Sequence, residues 1–129
     1  MSRPSDQVLD HVDHPPNVGR IDDADAVGQS SLDGRAPYTH MYLRISDGRI
    51  EGIKFQTFGC GFSIAACSAV TEMAKGGMMT ECLSISADKV IESLGHVPED
   101  RQFCAELAVK ALHDAAAVAK RTRTTLSQE

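Results

Sequence analysis

The sequence predicts an α+β domain, in which a small antiparallel sheet is covered on one face by helices. Three observations lead there. Strand-like segments come before the main helical ones. The best strand pair flanks an Asp-Gly turn, and beyond Phe58 the apolar period changes from two residues to helical spacing.

Element by element, Ser5 is placed to cap a short amphipathic helix over residues 5–13, with Val8, Leu9 and Val12 apolar, and His14-Pro15-Pro16-Asn17 stops it. A strand is expected between Asp22 and about Asp33. Residues 38–45 and 50–58 are rich in β-branched and aromatic residues and form a hairpin around Ser46-Asp47-Gly48-Arg49. In the second arm Ile53, Phe55 and Thr57 face one side and Lys54, Gln56 and Phe58 the other, so one face needs a cover. Phe62, Ala65, Ala66, Ala69, Val70 and Met73 recur at helical spacing, with Gly76-Gly77 as the stop. A second helical region runs from about Met79 to Leu94, broken near Ser84–Ser86. The last helix begins between Pro98 and Phe103 and lays Cys104, Leu107, Ala108, Ala111, Leu112, Ala115 and Val118 on one stripe. Residues 1–4 and 121–129 are expected to fray.

The 129 residues fit one domain, and 42% hydrophobic with 24% charged residues favours an ordinary globular chain. A net charge of -5 with scattered Lys and Arg gives no basic face for nucleic acid. The N-terminal residues lack the apolar core of a signal peptide, and no apolar run is long enough to span a bilayer. A cytoplasmic location follows as the expectation, and the four cysteines, Cys60, Cys67, Cys82 and Cys104, are then reduced.

Cys60 stands between Gly59 and Gly61 at a strand-to-helix junction, where the chain turns tightly and can leave the thiol uncovered. Cys104 lies near the first turn of the last helix. A helix N-terminus favours thiolate, which is both nucleophile and metal ligand. Most free cysteines are small buried hydrophobes. That reading is retained for Cys67 and Cys82 and rejected for Cys60, whose glycine neighbours argue for exposure. No Cys-x-x-Cys pair, zinc-finger spacing or His-Glu-x-x-His occurs, so a metal site has to be assembled from distant segments. His11, His14, His40, His96 and His113 are dispersed, and surface or capping roles suit most of them. Asp22-Asp23-Ala24-Asp25 lacks the glycine and the terminal Glu of a calcium loop and reads as a solvated turn.

Two stretches, Asp10-His-Val-Asp-His-Pro-Pro-Asn-Val-Gly19 and Thr57-Phe-Gly-Cys-Gly-Phe-Ser-Ile-Ala-Ala-Cys-Ser-Ala-Val-Thr-Glu-Met-Ala-Lys-Gly76, resemble the iron-sulfur cluster assembly scaffolds typified by the N-terminal domain of NifU and by IscU. The similarity covers about residues 6–120 and implies a three-stranded antiparallel sheet with packed helices. It also implies a scaffold rather than an enzyme. Such a scaffold receives sulfur from a cysteine desulfurase and passes a transient two-iron, two-sulfur cluster to recipient apoproteins. By the resemblance, Cys60 matches the family's middle cysteine and Cys104 the last, which is usually the sulfur acceptor.

The family's first cysteine belongs to a Cys-Gly-Asp motif. The corresponding stretch here is Asp33-Gly34-Arg35-Ala36-Pro37, with Arg35 near the cysteine position and Pro37 near the aspartate. Phe103 replaces a histidine, and His96-Val-Pro-Glu-Asp-Arg101 replaces the chaperone-docking Leu-Pro-Pro-Val-Lys of IscU. A cluster held by one chain ordinarily takes four protein ligands, and the matched positions supply Cys60 and Cys104. Asp33 and His40 are candidate substitute ligands, and a homodimer sharing one cluster is the other completion. Iron or a nascent 2Fe-2S cluster is the expected cargo, with zinc an alternative occupant of the isolated protein. The competing reading is a diverged accessory protein that binds a desulfurase or carries persulfide without holding a cluster.

Overall fold

A computed structural model of the chain describes residues 4–32 and 34–127. Expectations for Asp33 and for fraying at 1–3 and 128–129 lie outside the described residues. The first helix, α1 (Asp6–Asp13), starts as its sequence dictates: the Ser5 hydroxyl accepts a hydrogen bond from the Val8 amide at 3.1 Å. It ends at His14, ahead of Pro15-Pro16.

Strands β1 (Ala26–Leu32), β2 (Arg35–Ser46) and β3 (Arg49–Phe58) form one antiparallel sheet in the order β1-β2-β3. The strand expected from Asp22 starts only at Ala26. The reason is local: the Asp25 carboxylate accepts the Ile45 amide at 2.6 Å, and Asp side chains compete for backbone donors in this way. The hairpin is the predicted one. Asp47 and Gly48 both take positive φ, 53° and 76°, as a two-residue turn with the right twist requires, and Ser46 pairs with Arg49.

Register then sorts the faces. Leu43 with Ile53, Met41 with Phe55 and Thr39 with Thr57 form successive rungs, and β1 adds Ala26, Gly28 and Ser30 opposite Leu43, Met41 and Thr39. Most of these side chains are buried, whereas Lys54, Gln56 and Phe58 on the other face are exposed. One irregularity helps the core. Arg44 pairs with Gly52 but Ile45 pairs with Ile50, so Glu51 is an extra residue whose bulge reverses the alternation and turns Ile50 fully inward.

Helix α2 (Gly61–Ala74) follows directly and stops before Gly76, whose φ is +83°. The next helical region is broken where expected, into α3 (Met79–Cys82) and α4 (Ala87–Ser93), with the Ser86 hydroxyl capping the second piece. A 3-10 turn over Glu99–Arg101 leads into α5 (Phe103–Ser127), whose small-residue stripe buries Ala108, Ala111, Leu112 and Ala115 against β1 and β2. Helix α5 runs to Ser127. No glycine or proline follows Lys120, so nothing in the covalent chain stops the helix there. Among the described residues no helix is long and apolar enough to cross a membrane.

Candidate functional site

Strand β3 delivers the chain to one end of the sheet, where Gly59 lets it turn and Cys60 becomes the N-cap of α2, in extended conformation. Cys104 sits in the first turn of α5. Helices α2 and α5 pack against each other, and this brings together two sulfurs from widely separated segments: Cys60 Sγ and Cys104 Sγ are 3.9 Å apart. The Ser63 hydroxyl stands beside both, donating to Cys104 Sγ at 3.4 Å and lying 4.0 Å from Cys60 Sγ. Sequence reasoning missed Ser63. Its signal was available, since a residue three past an N-cap lies beside the cap on the helix surface.

The two thiols differ in environment. Cys60 is half-buried, while Cys104 is only 3% exposed. Burial pulls the Cys60 thiol up, but the Ser63 and Phe62 amides, the Cys104 thiol and the Ser63 hydroxyl outweigh it and hold Cys60 below the ordinary value of 9.0. Its sulfur makes no cap hydrogen bond of full geometry, so it is the summed field of those donors that favours thiolate. Cys104 goes the other way. Burial pushes it up to about 11, the neighbouring Cys60 charge adds to this, and the Ser63 hydroxyl and the Arg101 guanidinium oppose it. The expectation of a second thiolate-favouring position is therefore corrected at Cys104: its place in the helix is as expected, but desolvation outweighs the helix terminus.

Cys67 and Cys82 are buried, as read from the sequence. Cys67 lies two turns along α2 from Cys60, with its sulfur 3.7 Å from Thr39 Oγ1 beneath the sheet, and burial pushes it up to about 12. His40 is not gathered with the two thiols. It pairs with Gln29 and Gln56 on the sheet face turned away from the helices, opposite to Thr39 and its Cys67 contact. Asp33 is outside the described residues. Among the described residues no three His, Cys, Asp or Glu side chains converge on one point. His11 is the other residue with an unforeseen role: its Nδ1 is 2.7 Å from the buried Ser68 Oγ and 3.7 Å from a Glu72 carboxylate oxygen, which pins α1 to α2.

The family model described as "NifU-like N terminal domain" matches residues 3–125. The chain belongs to that family. Among its relatives, the iron-sulfur cluster assembly scaffold protein IscU 1 of Archaeoglobus fulgidus is 47% identical over 111 residues, covering 86% of this chain and 72% of the relative. The IscU scaffold protein of Escherichia coli K12 is 37% identical over 123 residues, covering 92% and 95%. In three dimensions a crystal structure of a nitrogen-fixing NifU-like protein (N-terminal) from Brucella abortus superposes with a TM-score of 0.72, covering 91% of this chain and 94% of that one. At 15% identity this likeness speaks for the fold alone. The α+β architecture expected from the sequence is thus the NifU N-terminal fold, with its three-stranded antiparallel sheet.

Proposed function

We propose that this chain is a cytoplasmic iron-sulfur cluster assembly scaffold, in which Cys60 and Cys104 accept sulfur and hold iron or a nascent 2Fe-2S cluster as cargo. The separation of the two sulfurs carries the reading. Two thiolates on one tetrahedral metal, each at about 2.3 Å, stand about 3.8 Å apart, and here they are 3.9 Å apart. The separation of the pair therefore suits two ligands of one metal ion. Similarity to the IscU scaffolds supports the same role and a non-enzymatic one. A cysteine desulfurase is the sulfur source this reading calls for, and apoproteins are the recipients.

One chain's pair supplies half of the four ligands a 2Fe-2S cluster takes. Arg35 and Pro37 near the family's Cys-Gly-Asp motif, and Phe103 in place of its histidine, leave the rest to Asp33 or to a second chain. The geometry favours the second chain: a pair spaced for one iron, repeated across a two-fold axis, holds two. Anaerobic reconstitution with ferrous iron and sulfide, followed by iron counting and size-exclusion chromatography, tests this. The expected product is a dimer with one iron per chain. Failure to bind any iron rejects the scaffold reading.

A second reading rests on the same two-thiol geometry. The chain would carry persulfide, or bind a desulfurase, without holding a cluster. Incubation with a desulfurase and cysteine separates the two: persulfide uptake by a chain that fails iron reconstitution favours this alternative.

A further inference from the structure

We infer that Cys60 and Cys104 act as an entry thiol and a resolving thiol, which together turn one sulfane sulfur into free sulfide and end as an intramolecular disulfide. This rests on the proposed reading that the pair handles sulfur, and adds how that sulfur is reduced. The argument begins with access. Cys60 is half-buried at the glycine-flanked end of β3, whereas Cys104 is 3% exposed behind it. A hydropersulfide presented by a donor meets Cys60 first, although the family resemblance points to Cys104 as the acceptor.

Proximity does the rest. Once Cys60 carries the sulfane sulfur, its Sγ is the inner sulfur of a persulfide and Cys104 Sγ stands 3.9 Å from it. Closure to a disulfide bond of about 2.05 Å asks for a displacement of about 2 Å, next to two glycines. The first step exchanges a sulfur without net redox: the donor R–S–SH and the Cys60 thiol give R–SH and Cys60–S–SH. In the second step the Cys104 sulfur attacks Cys60 Sγ, the S–S bond to the outer sulfur breaks, and that sulfur leaves with the bonding electron pair. It takes up the proton that Cys104 gives up and departs as H2S. Sulfane sulfur is reduced to sulfide, and the two protein sulfurs are oxidised to Cys60–S–S–Cys104, so the release step itself draws its two electrons from the protein thiols; a dithiol reductant is needed only to reset the pair. The Ser63 hydroxyl, 3.4 Å from Cys104 Sγ and 4.0 Å from Cys60 Sγ, borders the pair throughout. A thiol of this kind paired with a resolving neighbour is the usual arrangement of redox-active cysteines. One consequence is sequential use of the site. The disulfide form has no thiolate to give a metal until a dithiol reductant reopens it.

The test uses the full chain, reduced and metal-free, mixed anaerobically with glutathione hydropersulfide and no other reductant. The expected result is about one equivalent of sulfide per chain above the Cys60→Ala/Cys104→Ala background, with a Cys60–Cys104 disulfide found by peptide mapping. Cys104→Ala should keep a persulfide on Cys60 and release about tenfold less sulfide. Cys104→Ser, with circular dichroism to verify folding, repeats that arm in a second background. A wild-type chain that holds a stable persulfide without forming the disulfide overturns the inference, as does sulfane sulfur mapped to Cys104 with Cys60 free. Ferrous iron plus inorganic sulfide is run in parallel. Cluster formation there, together with no disulfide in the hydropersulfide arm, condemns the inference alone, whereas no cluster and no sulfur uptake condemns the proposed function too.

Discussion

Gly28→Ala puts one methyl group where α5 crosses β1. A Cβ built at Gly28 would lie 2.2 Å from the Ala111 carbonyl oxygen, 2.3 Å from the Ala115 nitrogen and 2.8 Å from the Ala115 Cα. All three atoms are backbone, so no side chain can swing aside. Ordinary contact is about 3.5 Å, and α5 must therefore back away by about 1.3 Å along its middle. Two links that hold the same helix to β1 would be stretched: Ser30 Oγ donating to the Leu107 carbonyl at 2.6 Å, and the Gln29 amide donating to the Asp114 carboxylate at 3.0 Å. Overpacking of this severity costs about 3 kcal/mol, a large part of the stability of a domain of this size. Urea melts followed by circular dichroism should show the midpoint fall by the corresponding amount at unchanged slope. Because α5 carries Cys104, the variant should also lose iron uptake under conditions where it remains folded. A Gly28→Ala protein with wild-type midpoint would refute the close crossing of α5 over β1.

Three further outcomes follow from the same structure. Iodoacetamide should modify Cys60 with a pH midpoint below 9.0, and Cys104 should stay protected until pH approaches about 11, read by mass spectrometry of quenched samples; equal rates at the two thiols would contradict their different environments. Cys67 keeps its proton in the folded chain up to about 12, while an unfolded chain loses it near 9.0. Its contribution is thus full below pH 9 and falls away as pH rises towards 12, by up to about 4 kcal/mol, so Cys67→Ala should flatten the alkaline slope of stability measured by urea melts. His11→Ala should leave the buried Ser68 hydroxyl without its partner, cost about 1–2 kcal/mol, and raise hydrogen exchange in α1; unchanged α1 protection would count against the α1–α2 latch.

Much of the fold was readable because each element carries its own chemical signature. Ser5, the Asp47-Gly48 turn, Gly76 and the Ser84–Ser86 break all sit where local backbone preferences place them. The start of β1 was misplaced because Asp side chains can satisfy strand amides while looking like turn residues. The meeting of Cys60 with Cys104 came from the resemblance, since nothing in the spacing of two residues on different elements encodes a 3.9 Å approach. Cys104 heads the apolar stripe of the last helix, so its inward side was legible, but the raised thiol that results was not. A helix N-terminus is visible in a one-dimensional pattern, but the desolvation that overrides it is imposed by whatever packs across it. His40 shows the converse: proximity in the chain to an altered motif suggested a ligand, while strand alternation puts it on the face opposite Thr39 and its Cys67 contact.

The two sulfurs belong to separate helices, so the site is a seam between them and has no existence within either one. Whatever bridges the seam acts as a clasp, and by mass action a bound ion or cluster must reinforce the docking of α2 on α5. The converse holds as well. A partner able to prise these helices apart would release the cargo without touching a single sulfur.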